Sequence, residues 1–156
     1  IALEMMEDTH HAVMAMEAAL SVGLPVWLGV SCRFANDGET LVGFDFPETP
    51  LTDPLRTLIP LGASVVNVMH TDPEAVGQAI AEVRALWPGP VGVYPELGDF
   101  SAPNWNFTSS PSPADLAQEA LSWVESGARL LGGCCGTTPD HIRGLRDALP
   151  DLRTAR

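Results

Sequence analysis

Leu130-Leu131-Gly132-Gly133-Cys134-Cys135-Gly136-Thr137-Thr138-Pro139 joins an apolar strand end, a glycine-rich turn carrying two adjacent cysteines, and a helix start. Successive strand side chains point to opposite faces, so a straight strand cannot aim both thiols at one point. The flanking glycines tolerate backbone angles that would clash for other residues, and this removes the limit. The stretch therefore lets two soft sulfur ligands converge at the carboxyl end of a buried strand.

The same strand–turn–helix unit recurs upstream. Ile1–Met6 is a short apolar run interrupted by Glu4, and Asp8 or Thr9 caps a helix running to about Val22. Val26–Cys32 is a continuous apolar strand of the kind buried on both faces. The polar segment Arg33–Pro50, with Asn36-Asp37-Gly38 as a turn signal, reads as a long loop. Leu51–Leu61 is a short helix closed by Gly62, and Ser64–Met69 is the next strand. His70-Thr71-Asp72-Pro73 then leads into a helix to about Trp87, with Val76, Ile80 and Val83 on one face. Val91–Tyr94 is a fourth strand, followed by a second long loop. Ser112-Pro113 starts a helix with Asp115 placed to complete a capping box. Ala128–Gly133 is the fifth strand, and the last helix carries Ile142, Leu145 and Leu149.

Strict alternation of apolar strands with helices specifies an α/β fold with a parallel sheet and crossover helices. Two architectures compete, an open doubly wound sheet and part of an eight-stranded (β/α) barrel of TIM type. No glycine-rich phosphate fingerprint follows any strand, which weakens the dinucleotide-binding reading. A barrel gathers its chemistry at strand carboxyl ends. Glu4, Cys32, His70, Glu96, Cys134 and Cys135 all fall there.

With 156 residues, 46% hydrophobic and 18% charged, the chain fits one globular domain. The formal net charge of −12 argues against nucleic acid or an anionic membrane as partner. No apolar run approaches the roughly 18 residues of a membrane span, and no signal peptide is visible. The three cysteines are an odd number without the spacing of a secreted disulfide scaffold, so reduced thiols and a cytoplasmic location are expected. The start at Ile1 inside an apolar run reads as a cut end.

The motif from Gly132 to Ile142, Gly-Gly-Cys-Cys-Gly-Thr-Thr-Pro-Asp-His-Ile, resembles the closing motif of the homocysteine S-methyltransferase family. Looser similarities lie at Asp37-Gly38, from Gly62 to Asn67, and at Tyr94-Pro95 with Gly98 and Trp105. The resemblance implies that residues 1–156 are the C-terminal part of a homocysteine-binding barrel, about strands four to eight, with the first three absent. The missing amino-terminal segment, or self-association, would then have to cover the open edges.

The resemblance also implies zinc as cofactor, with homocysteine and a methyl donor as small-molecule substrates. Methyl transfer to the homocysteine thiol would give methionine. The family's zinc is held by three cysteines, the adjacent pair and one following an Asn. Cys134 and Cys135 match the pair. The third position falls on Val68, after Asn67, and valine binds no metal. His70 is the candidate replacement, since on a strand it projects to the same face as Val68, and imidazole ligates zinc well. Cys32 is the fallback. Glu4 matches the family glutamate implicated in binding the substrate's amino group. A carboxylate buried in an apolar strand needs such a partner. Asp99, Asn104 and Trp105 are candidates for enclosing the donor, whereas His10, His11 and His141 are expected near helix ends in solvent. Val68 favours an alternative from another class, a non-catalytic barrel that has lost zinc and serves as a binding or structural protein.

Overall fold

A computed structural model describes residues 1–101, 103–108 and 110–149. Strand β1 (Ala2–Leu3) leads to helix α1 (Thr9–Ser21), capped by Asp8 through the His10 amide. Strand β2 (Trp27–Val30) is followed by an antiparallel hairpin of β3 (Cys32–Phe34) and β4 (Leu41–Gly43). Helix α2 (Thr52–Leu58) runs on into a 3-10 turn over Ile59–Leu61. Strand β5 (Val65–Met69), helix α3 (Pro73–Leu86) and strand β6 (Val91–Tyr94) come next. A second hairpin, β7 (Asp99–Ser101) and β8 (Asn104–Asn106), precedes α4 (Pro113–Glu125), β9 (Ala128–Leu131) and α5 (Pro139–Ala148).

The main sheet is wholly parallel, in the order β1-β2-β5-β6-β9. Spatial order follows chain order without reversal. Right-handed crossovers then place every helix on the same face, and neighbouring helices pack in sequence from α1 to α5. A doubly wound sheet would reverse direction and put helices on both faces.

The two sheet faces differ in character. Leu28, Val30, Val66, Val68, Val91 and Val93 join the core formed with helix residues such as Val76, Ala79, Ile80 and Val83. The opposite face carries Gly29, Asn67, Met69, Gly92 and Tyr94, since a Cβ at Gly29 would meet Met69 and Tyr94, and one at Gly92 would meet Asn67.

Three expectations change. The segment expected as a loop after Cys32 contains the β3–β4 hairpin. Its turn is closed by Asp37, whose carboxylate accepts from the Glu39 and Thr40 amides, while Gly38 takes φ +72°. The loop after β6 likewise contains β7–β8. The first strand stops at Leu3, so Glu4 lies beyond it and is exposed rather than buried among strand residues.

Candidate metal centre

Backbone hydrogen bonds stitch together the loops that leave β5, β6 and β9. The His70 amide donates to the Tyr94 carbonyl (3.2 Å) and Glu96 to Thr71 (3.2 Å). Cys134 donates to Pro95 (3.0 Å) and Leu97 to Cys135 (2.7 Å). These bonds continue the sheet ladder past the strand ends and fix where the following side chains start.

The cysteine pair converges because the chain leaves the strand at Leu131 and turns tightly, with the Thr137 amide donating to the Cys134 carbonyl (3.2 Å). Gly136 adopts φ +80°, which a side chain would resist, and a Cβ at Gly133 would overlap Thr137. The two Sγ atoms end 3.8 Å apart. Nδ1 of His70 lies 3.6 Å from each of them. Among the described residues, His70, Cys134 and Cys135 are the group whose donor atoms could hold one metal ion, all within 4.8 Å of one another. Two sulfurs and one imidazole nitrogen suit a borderline-soft cation.

His70 reaches this position by a route the alternation argument did not foresee. Val68 packs on the helix-side face, and His70 escapes that face by taking φ +45° at the end of β5. A left-handed backbone is uncommon outside glycine. The ring is held by the edge-to-face contact of Phe44 (centroids 4.6 Å apart) and by Glu96, whose Oε2 stands 3.3 Å from Nε2. Burial lowers the His70 pKa, with the Asp45 charge opposing it. Burial pushes the Cys134 thiol up to about 11, and the charges of Cys135 and Glu4 add to the rise.

The remaining candidates fall elsewhere. Cys32 is fully buried in the core, its amide donating to Thr71 Oγ1 (3.1 Å) and its Sγ 3.7 Å from the same hydroxyl. Burial pushes its thiol up to about 12. It is a packed thiol outside the donor group. Glu4 sits exposed near the mouth, close enough for its charge to be felt at Cys134 and Tyr94. Asn104 opens β8 and is exposed, while the side chains of Asp99 and Trp105 lie outside the described residues. His10 and His11 are exposed as expected. His141 is buried instead, its Nδ1 accepting from the Thr138 amide (3.1 Å) and its Nε2 facing the Pro111 carbonyl (3.0 Å).

The sequence reading missed Glu7. This carboxylate is 3% exposed; it accepts from the Ser31 hydroxyl and, at 2.9 Å, from the Asp45 amide. It thereby anchors the segment carrying Phe44, the ring that packs on His70. Its neighbourhood in sequence, an acid just before a helix cap, gives no sign of this.

With the geometry established, comparison with known proteins locates the fold. The family model described as homocysteine S-methyltransferase matches residues 1–149. A selenocysteine methyltransferase of Astragalus bisulcatus is 35% identical over 83 residues, which are 51% of this chain and 25% of that protein. Homocysteine S-methyltransferase 2 of Zea mays is 28% identical over 134 residues, 83% of this chain and 37% of the maize protein. The homocysteine methyltransferase MmuM of Escherichia coli, in its oxidized form, superposes with a TM-score of 0.68 at 26% identity. That alignment covers 94% of this chain and 44% of MmuM. The chain thus spans less than half the length of these relatives, and its one-sided parallel sheet is part of a TIM-type barrel. Matched along nearly its whole length, the chain belongs to the homocysteine S-methyltransferase family.

Proposed function

We propose that the protein transfers a methyl group from a small donor to the thiol of homocysteine, giving methionine, with zinc held by Cys134, Cys135 and His70. One observation carries this reading. In a tetrahedral site with zinc–sulfur bonds of about 2.3 Å and zinc–nitrogen bonds of about 2.05 Å, sulfurs stand about 3.8 Å apart, and sulfur and nitrogen about 3.6 Å. The separations here are 3.8 Å between the thiols and 3.6 Å from each to Nδ1. The donor triangle already has the dimensions of three corners of such a site.

Zinc bound there would supply Lewis acidity, lowering the pKa of the homocysteine thiol so that its sulfur is nucleophilic at neutral pH. The chain's own residues set the conditions. Two thiolates balance a divalent cation and a neutral imidazole adds no charge, so an anionic sulfur meets no excess negative charge from the three ligands. Glu4, exposed at the mouth with its charge felt at Cys134, supplies a carboxylate for the substrate ammonium.

In the same reading the chain corresponds to strands four to eight, and the edges at β1 and β9 are covered by the remaining barrel strands or by a second copy. The three cysteines, all free, accord with a reducing cytoplasm. No helix among the described residues is long and apolar enough to cross a membrane.

Metal analysis of the whole protein tests the proposal. About one zinc per chain is expected, lost in Cys134→Ser and in His70→Ala together with methyl transfer to homocysteine. Absence of zinc from every reduced preparation would overturn it. That outcome would favour the second reading, which Val68 motivates: a barrel of this family that binds a ligand or partner without metal.

A further inference from the structure

A metal-binding imidazole offers one lone pair, and its other nitrogen must carry the proton. In His70 it is Nδ1 that stands 3.6 Å from both thiols, so the productive tautomer has its proton on Nε2. Nε2 faces Oε2 of Glu96 at 3.3 Å. Both side chains are nearly buried, at 12% and 10% exposure, so solvent screens their interaction little. Glu96 lies outside the donor group itself.

Two features argue that this contact does more than fill space. The left-handed backbone of His70 persists only where the surroundings hold it, and Phe44 supplies one edge-to-face contact to the ring. Glu96 is fixed by the same stitching that fixes the thiols: its amide bonds to Thr71, and the residues on either side bond to the cysteine turn, Pro95 accepting from Cys134 and Leu97 donating to Cys135. Acceptor, imidazole and thiols are therefore set by one hydrogen-bonded layer of backbone.

We propose that Glu96 is the positioning residue of the metal centre: its carboxylate holds the proton on Nε2 of His70 and keeps the Nδ1 lone pair aimed between Cys134 and Cys135. The inference deepens the zinc reading and rests on it for its consequence. A carboxylate behind a ligating histidine fixes the tautomer and raises ligand basicity, and its loss typically costs 10–100-fold in metal affinity.

Two measurements on the whole reduced protein test this. Competition against a chromophoric chelator gives zinc affinity, expected to fall about 10–100-fold in Glu96→Ala and to recover largely in Glu96→Gln, whose amide oxygen can take the carboxylate's place facing Nε2. Nitrogen-15 NMR of the metal-free protein reads the tautomer directly. His70 should be protonated on Nε2 in the parent and in Glu96→Gln, and should become a mixture in Glu96→Ala, with the metal-free melting temperature unchanged. Unchanged zinc affinity in Glu96→Ala, or an Nδ1-protonated ring in the parent, overturns the proposal. A parent that binds no zinc, yet loses the Nε2 tautomer in Glu96→Ala, would defeat the metal reading and uphold the positioning role.

Discussion

Val68 and His70 leave the same strand in different directions: Val68 is fully buried among helix residues, while His70 turns through a positive φ and brings Nδ1 to the cysteine pair. The position onto which the family resemblance places a third thiol therefore faces away from the donor group in this chain. Val68→Cys should fold normally, since the exchange leaves a smaller apolar group in the core at a cost of about 1 kcal/mol. It should not restore zinc to His70→Ala. A double variant that regained one equivalent would show that the β5 end can rotate to present residue 68, and would displace His70 from the ligand set.

Glu7 predicts a pH dependence of stability. Burial raises its carboxyl above the ordinary value of 4.5, with the hydrogen bonds from Ser31 and Asp45 opposing. A carboxyl that titrates higher in the fold binds more protons there than in the unfolded chain. Its contribution is therefore fully present below the ordinary pKa and is lost as pH rises through the folded one. Glu7→Gln, whose amide oxygen still accepts from the Asp45 amide while its NH2 donates to the Ser31 hydroxyl, should melt like the parent near about pH 4 and above it near about pH 7. Glu7→Ala should be destabilised at both, by about 1–3 kcal/mol for each buried donor left without its partner. A Gln variant with the parent's pH profile would contradict the assignment.

The parallel sheet was legible because strands buried on both faces read as unbroken apolar runs, and because Asp8, Ser112 and Thr138 mark helix starts by side-chain chemistry. The hairpins were not, since strands as short as Cys32–Phe34 and Leu41–Gly43 show no period. The cysteine pair was visible in its glycines. Glu4 was misread as buried because apolar residues flank it, although the strand ends one residue earlier. Glu7 was invisible because its partners Ser31 and Asp45 lie 24 and 38 residues away. His70 was singled out by residue type and by its step of two from Val68, but its left-handed turn has no signature when the residue is not glycine.

Gly92 and Asn67 face each other across β6 and β5, and a Cβ at Gly92 would overlap Asn67 Oδ1. The Asn67 amide is buried, and neither of its polar atoms has a hydrogen-bond partner among the described residues. Gly92→Ala should cost about 1–3 kcal/mol through overpacking. Asn67→Ala should remove most of that cost, giving a coupling of about 0.5–3 kcal/mol in a double-mutant cycle followed by urea unfolding. Additive effects would mean that the two side-chain positions do not meet.

The thiols should separate by reactivity. With Cys134 pushed up to about 11 and Cys32 to about 12, both are protonated at neutral pH in the metal-free protein and alkylate slowly. Cys134 is half-buried and should gain reactivity as the pH approaches its pKa. Cys32, fully buried, should stay unmodified until the protein unfolds. Peptide mapping by mass spectrometry after timed iodoacetamide exposure distinguishes them. Early modification of Cys32 would place that thiol outside the core.

A metal in this site would cross-link the loop after β5 to the loop after β9, across the intervening β6, to whose loop each is joined by backbone hydrogen bonds. A ligand that binds the folded chain alone stabilises it by about 2.7 kcal/mol at a hundredfold excess over Kd. In a chain of this size that raises Tm by about 5–10 °C. Chelator should remove this increment from the zinc-loaded protein and leave His70→Ala unmoved, because that variant has no third corner to close the site. Cys32→Ala should lose core stability but keep the full chelator response, since its thiol takes no part in the donor group. An equal chelator response in His70→Ala would mean that the metal is held without the imidazole, and the donor triangle would then have another third corner.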